Sequence, residues 1–387
     1  MDSIEHDVVI VGAGAAGHSC ARTLRSEGFT GPIRLVNGEG GPAINRTLVD
    51  TGVLPGLLTG AQIALPPVAD VEVVDARAVR IDASTRAVVL DDGAELQAHA
   101  LVLASGSVPR PLDDAIAIDG AVRQHALHSA ADAERLRSAV PDLAGASIVV
   151  LGAGFIGAEV ASHYVGAGAR VTLIGRSRLP LREAVGADIS ARLAALHAER
   201  VDARLGARVV AIRAAGIPGR DDAVVVQLDD GSEIAGDGLV VAVGSEPDAA
   251  WVGFDGAIPV DDRFRVPAMP GVYAAGSVSA PELPQGRVRV DHWDAATAQG
   301  GHAARALLHD LGLGDDPGAW APTTGFSLMA YGAVIGARGV RGVDARETSD
   351  ELADGGLLTG FADASGRLTG VAGWNAGPHL LQAAARL

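Results

Sequence analysis

The 387-residue chain contains no lysine; all 31 of its basic residues are arginine. That excludes Schiff-base chemistry and any lysine ammonium beside a cofactor. A single cysteine, Cys20, rules out a disulfide framework and a Cys-x-x-Cys redox pair. Its place after the first glycine-rich turn predicts a packed, inert thiol. Aromatic residues make up only 3% of the chain. The core must therefore come from Ala, Val, Leu and Gly, small residues that suit helices packed closely on buried parallel strands. A formal charge of -16 disfavours binding to nucleic acid. The apolar run Val8 to Val11 is too short to cross a bilayer, and the acidic start Met1-Asp2-Ser3-Ile4-Glu5 is unlike a signal peptide. A soluble, cytoplasmic protein with no membrane partner and no metal site is expected. Its length predicts two or three domains.

What is present is a duplication. The first copy runs Asp7-Val8-Val9-Ile10-Val11-Gly12-Ala13-Gly14-Ala15-Ala16-Gly17, a helical stretch to about Glu27, then Ile33-Arg34-Leu35-Val36. The second runs Ser147-Ile148-Val149-Val150-Leu151-Gly152-Ala153-Gly154-Phe155-Ile156-Gly157, a helix to about Gly166, then Arg170 to Ile174. Each reads as apolar strand, glycine turn, small-residue helix and apolar strand, which is a βαβ unit. Each is followed by a hairpin around Asp-Asp-Gly, at Asp91-Asp92-Gly93 and Asp229-Asp230-Gly231. Each section then closes on a buried strand and a glycine, Ala100 to Gly106 and Gly238 to Gly244. Short strands and glycine turns follow from about Pro322, with a last helix near Pro378 to Leu387.

A dinucleotide pyrophosphate needs backbone N–H donors and the positive end of a helix dipole. The first glycine of each motif permits the tight turn, the second lets the phosphate approach, and the third lets helix and strand pack closely. The candidate cradle residues are Gly12, Gly14, Ala16 and Gly17, and Gly152, Gly154, Phe155, Ile156 and Gly157. Beyond the second strand of the first unit stands Glu39, a carboxylate able to accept from both ribose hydroxyls. The corresponding place in the second unit is Gly175, followed by Arg176-Ser177-Arg178. No carboxylate there repels a 2′-phosphate, and Arg176 and Arg178 can bind one in a bidentate fashion. These residues favour NADPH on the second unit, with NADH possible.

Together the motifs resemble the FAD-dependent pyridine-nucleotide reductases, and within them the ferredoxin and rubredoxin reductases that feed oxygenases. The resemblance covers nearly the whole chain. It includes Ala104-Ser105-Gly106-Ser107-Val108-Pro109-Arg110, Gly271 to Gly276, the segment Asp291-His292-Trp293-Asp294, and Gly325-Phe326-Ser327. It implies an α/β protein with two Rossmann-like dinucleotide-binding domains, for FAD and NAD(P), plus a small α+β C-terminal domain. Residues 1–113 and 244–312 would form the FAD domain and 114–243 the nicotinamide domain. Residues 320–387 would cover the flavin and offer a partner or dimer surface, in a monomer or homodimer. By the same resemblance Arg46, Val79, Ala104, Ser105, Gly106, Arg110, Gly244, Gly276, Ser277, His292, Trp293 and Phe326 fall at cofactor-binding places. Glu159 falls where the family has a glutamate near the nicotinamide, which marks it as the candidate catalytic residue; a solvated helix residue is the competing reading.

The departures gather at one end of the cofactor. The family's Tyr-x-Arg-Pro-x-x-Ser-Lys run reads Ile44-Asn45-Arg46-Thr47-Leu48-Val49-Asp50-Thr51, without its lysine. Its Gly-Asp is Gly276-Ser277, which exchanges a charge-assisted hydrogen bond of about 1.5–3 kcal/mol for a neutral one nearer 1. Its Trp is Phe326. The resemblance implies hydride transfer from NADPH to flavin, then electron transfer to a ferredoxin-like protein. Arg338, Arg341 and Arg346 are candidates for a positive docking face or, equally, an ordinary solvated turn. Two other readings stay open: reduction of a small-molecule acceptor at a rebuilt flavin end, and a non-catalytic nucleotide-binding protein that has lost competent flavin.

Overall fold

The computed structural model describes residues 6–284 and 286–387. It divides into two compact units, Met1–Asn45 with Ile63–Val108 and Glu246–Gly325, and Arg46–Gln62 with Pro109–Ser245 and Phe326–Leu387.

The first unit is built on five parallel strands in the order Val272–Ala274, Ala100–Leu103, Val8–Val11, Ile33–Val36 and Glu72–Val74. The two strands at its centre, Val8–Val11 and Ala100–Leu103, are buried throughout. That explains their unbroken apolar runs, since both faces of a parallel sheet are covered. The helix Ala15–Ser26 packs against Trp293–Asp310. A methyl group added at Gly300 would lie 2.0 Å from the carbonyl oxygen of Ala16, so this crossing tolerates no side chain. Cys20 is fully buried here, and burial pushes its thiol up to about 12, in keeping with an inert packed group. The Asp91-Asp92-Gly93 turn joins the antiparallel strands Ala87–Leu90 and Glu95–Gln97.

The second unit repeats this plan. Four parallel strands run in the order Asp202–Leu205, Arg170–Gly175, Ser147–Leu151 and Gly238–Val241. The second Asp-Asp-Gly turn joins Val224–Leu228 to Glu233–Gly236 in the matching antiparallel hairpin. The same unit carries the C-terminal module, a five-stranded sheet ordered Gly325–Ala330, Ala333–Gly339, Leu368–Trp374, Leu357–Ala362 and Arg346–Glu351. The helix Gly377–Ala384 packs on this sheet. The core beneath the module joins Ala158 of the helix Phe155–Gly166 to Val185, Ile189 and Leu193, and to Leu328, Ile335 and Phe361 of the sheet. Among the described residues no helix is long and apolar enough to cross a membrane.

Candidate functional site

Both glycine turns stand at a strand-to-helix junction. In the first, Gly12 has φ +103°, and a Cβ there would lie 2.2 Å from the carbonyl oxygen of Ala104. A Cβ on Gly17 would lie 1.8 Å from the oxygen of Gly12, so the close approach of helix and strand forbids side chains at both positions. Gly14 is different: a Cβ there meets nothing within 4 Å. The second turn repeats these values. Gly152 has φ +105° with Ala242 O 2.1 Å from its added Cβ, Gly157 would meet Gly152 O at 1.8 Å, and Gly154 faces open space.

The helix starts explain what that space suits. Gly14 and Gly154 are the N-caps of Ala15–Ser26 and Phe155–Gly166, neither offers a side-chain cap, and neither first turn holds an acid. The helix Ala130–Ala139 of the same chain is capped conventionally, by a reciprocal box between Ser129 and Asp132. The two glycine-led helices thus present uncapped N–H groups to open space, the donor set a pyrophosphate accepts. The residues fit a dinucleotide at each turn.

Other residues of the first unit assemble around its cradle. An added Cβ on Gly276 would lie 2.8 Å from that of Ala16 and 3.6 Å from that of Ala296, so the starts of two helices flank this glycine. The Gly276 N–H donates to the buried Gln299 Oε1 at 2.8 Å. Ser277 follows, its carbonyl accepting from Arg289 Nε at 2.7 Å, while Arg289 also bonds Asp291 at 2.8 Å. His292 caps the helix that begins at Trp293, and burial holds its imidazole below the ordinary range. Ser105 Oγ donates to Asp248 O at 2.6 Å, and the Gly106 carbonyl accepts from Asp248 N at 3.0 Å. Glu39 lies exposed in the turn after Ile33–Val36, and Val79 sits on an irregular strand with its residue 46% exposed.

In the second unit Arg176, Ser177 and Arg178 follow directly on Arg170–Gly175, all exposed. Ser177 holds the turn through Leu179, and the Arg178 stem lies against Gly206. Arg46 donates to His128 O at 2.7 Å, and the Arg110 N–H donates to Gly244 O at 3.0 Å. Phe326 stacks edge-on against Phe155, ring centroids 4.6 Å apart. The arginine cluster of the C-terminal module is partly spent within the fold. Arg341, 13% exposed, bonds Glu183 and lies 2.8 Å from Glu347, so its charge is neutralised internally.

Glu159, in the second turn of Phe155–Gly166, is no solvated helix residue. Its Oε1 accepts from Met329 N at 3.1 Å, and its carboxyl adjoins that of Asp50. Asp50 lies in a single π-type turn, Val49–Val53, and is 5% exposed. Its Oδ1 accepts from Thr51 N at 3.0 Å, while Oδ2 is buried with no donor among the described residues. Burial, then the hydrogen bond to Asp50 and its negative charge, push the Glu159 carboxyl up to about 8. Burial raises Asp50 as well. Two adjoining carboxyls, Asp50 buried and Glu159 half-buried, with no cation between them cannot both ionise, so the pair keeps one proton.

With this geometry in place, comparison with known proteins is decisive. The sequence model of the pyridine nucleotide-disulphide oxidoreductases matches residues 6–300. The chain belongs to the pyridine nucleotide-disulphide oxidoreductase family. A member similar to it is the ferredoxin–NAD(+) reductase component of the p-cumate 2,3-dioxygenase system of Pseudomonas putida. That protein is 30% identical over 318 residues, which span 79% of this chain and 75% of that protein. The corresponding component of the anthranilate 1,2-dioxygenase system of Burkholderia cepacia is 33% identical over 341 residues, 84% of this chain and 81% of that one. Among solved structures, the covalent putidaredoxin reductase–putidaredoxin complex matches with a TM-score of 0.87 at 26% identity, covering 99% of this chain and 93% of that one.

As a member of this family the chain is an oxidoreductase with the two-Rossmann-domain fold. With one cysteine it cannot carry the disulphide of the family name. Two features of the family segments escaped the motifs. Gln299 lies in the helix after His292-Trp293 and holds Gly276 in place. Asp50 stands where the resemblance has a serine; that exchange was the available signal, overshadowed by the missing lysine beside it.

Proposed function

We propose that the chain is an FAD-dependent NAD(P)H oxidoreductase that takes hydride from NADPH and passes electrons to a ferredoxin-like protein in the cytoplasm. The observation that carries this reading is the pair of uncapped, glycine-led helix starts, one in each unit, inside a chain of this family. Flavin would supply the exchange between two-electron and one-electron chemistry. The chain's residues bind and orient: Gly12 to Gly17 and Gly152 to Gly157 receive the pyrophosphates, and Glu39 the FAD ribose. The FAD domain would comprise 1–113 and 244–312, the nicotinamide domain 114–243, and the covering domain 320–387. Val79, Ala104, Ser105, Gly106, Gly276, Ser277, His292 and Trp293 would complete the flavin site with Arg46, Arg110, Gly244 and Phe326, and Glu159 would be the acidic group at the redox end.

The two relatives are named for NAD(+), whereas Gly175-Arg176-Ser177-Arg178 favours the 2′-phosphate here. Arg176→Ala is expected to raise KM for NADPH about tenfold or more while leaving KM for NADH nearly unchanged, since a charge-assisted phosphate contact is worth about 1.5–3 kcal/mol. Equal effects on the two nucleotides in steady-state kinetics would refute the assignment. Purified protein should show flavin absorption and bleach on anaerobic mixing with NADPH; colourless protein, or no bleaching with either nicotinamide, removes the scheme.

A second reading, in which a small molecule takes the electrons, gains support from Arg341, whose charge is met by Glu183 and Glu347 rather than offered to an acidic partner. Reoxidation of the bleached protein separates the two: a ferredoxin accelerates it under the first reading, and only oxygen or a quinone does so under the second.

A further inference from the structure

The turn that carries Arg176 and Arg178 is fixed by a residue outside it. Both of its ends are set. Gly175 pairs with Leu205 on the neighbouring strand. Leu181 begins the short helix Arg182–Val185, its carbonyl accepting from Ala184 N at 2.8 Å and Val185 N at 3.0 Å. Leu181 holds φ +58°, a left-handed value that a leucine keeps only under constraint, and it packs on the core of Val185, Ile189 and Leu193. Between these ends Ser177 closes a local turn on Leu179. The remaining tie is buried. Ser190, in the helix Ala187–Arg200, is 0% exposed, and its Oγ donates to the carbonyl of the buried Pro180 at 2.6 Å.

Serine is a poor choice there on local grounds. Alanine forms helix better, and a hydroxyl shut away from water is costly unless it is bonded. What this hydroxyl holds is one carbonyl, two residues after Arg178. The stem of Arg178 is laid down as well, since a Cβ added at Gly206 would lie 2.9 Å from its Cγ and 3.2 Å from its Nε. On the same strand edge the guanidinium of Arg204 is closed off by Asp202, with contacts of 2.8 and 3.1 Å. Among the described residues neither Arg176 nor Arg178 has an acidic partner. The turn thus combines a held backbone with two guanidiniums kept for an anion, an arrangement that loses little freedom on binding.

We propose that Ser190 is a positioning residue for nucleotide choice: by holding Pro180 it presents Arg176 and Arg178 to the 2′-phosphate on the adenosine of a nicotinamide dinucleotide. This rests on the reading that Arg176-Ser177-Arg178 takes that phosphate. Ser190 is inaccessible and touches no ligand, so it acts through the turn alone.

Steady-state kinetics of the FAD-loaded protein with NADPH and with NADH, ferricyanide being the acceptor, tests this. Ser190→Ala is expected to raise KM for NADPH about fivefold, the fold-change of one net hydrogen bond, with kcat and KM for NADH nearly unchanged. Ser190→Cys, close in volume but a feebler donor, should give the same selective rise. In a protein already carrying Arg176→Ala and Arg178→Ala, Ser190→Ala should add nothing, because no guanidinium is left to place. An equal rise for both nucleotides overturns the proposal, since Ser190 then merely supports the domain. Unchanged KM for NADPH overturns it too, as does a rise that persists without the two arginines. The underlying reading fails separately: if the paired arginine replacement leaves KM for NADPH unchanged, the 2′-phosphate assignment falls and this proposal falls with it.

Discussion

Gly154→Asp is expected to fold, to retain flavin colour, and to lose reduction by NADPH by at least about 100-fold in kcat/KM. Gly154 has φ −82° and ψ −161°, extended values that any residue adopts, and an added Cβ meets nothing within 4 Å. The introduced carboxylate would reach the N–H groups of the first turn, since aspartate is among the best N-caps, and should stabilise the helix by about 1 kcal/mol. It would thereby fill the phosphate site with negative charge. A like charge at about 4 Å costs on the order of 4 kcal/mol at an effective dielectric near 20, equivalent to roughly a thousandfold loss of affinity. Gly14→Asp, in the matching geometry of φ −68° and ψ −166°, should give colourless protein instead. Gain of thermal stability together with loss of one cofactor distinguishes a blocked cradle from a damaged fold. Gly152→Asp provides the contrast: at φ +105°, with a backbone oxygen 2.1 Å from its Cβ, it should fail to fold. Unimpaired bleaching of Gly154→Asp by NADPH, measured in stopped flow, would show that the second turn is not the nicotinamide site.

Both glycine turns were legible in the sequence because Gly17 and Gly157 are required within their own turn, where an added Cβ would lie 1.8 Å from the carbonyl oxygen five residues back. Gly12 and Gly152 add a positive φ that the same turn imposes, although the carbonyls they approach, those of Ala104 and Ala242, lie far along the chain. The two Asp-Asp-Gly hairpins were legible for the same reason. What escaped depends on residues brought together from afar. Arg341 looked like one of three exposed cations until Glu183, some 160 residues earlier, was found against it. Nothing in the pattern around Glu159 says that it meets Asp50; only the fold does. The substituted run Ile44 to Thr51 read as a loss of positive charge. In the structure it is also a gain of a buried acid, and that changes its chemistry from an absent cation to a retained proton.

That retained proton has a cost that can be measured. The Glu159 carboxyl lies near 8 in the folded chain against an ordinary 4.5. Between those values the folded state binds more protons than the unfolded one, so stability must fall as pH rises from about 4.5 to about 8 and level off above. Full conversion would correspond to roughly 5 kcal/mol, and relaxation around the partly exposed Glu159 should leave about 2. Glu159→Gln imitates the protonated acid: its amide oxygen can still accept from Met329 N, and its NH₂ can donate to the neighbouring Asp50 carboxyl. The variant is therefore expected to match the unmodified protein at pH 5 and to exceed it at pH 8, by about 4–8 °C in Tm. Scanning calorimetry at the two pH values checks this, and equal Tm differences at both would mean that Glu159 ionises normally. If glutamine is the more stable choice at neutral pH, packing does not explain the carboxyl.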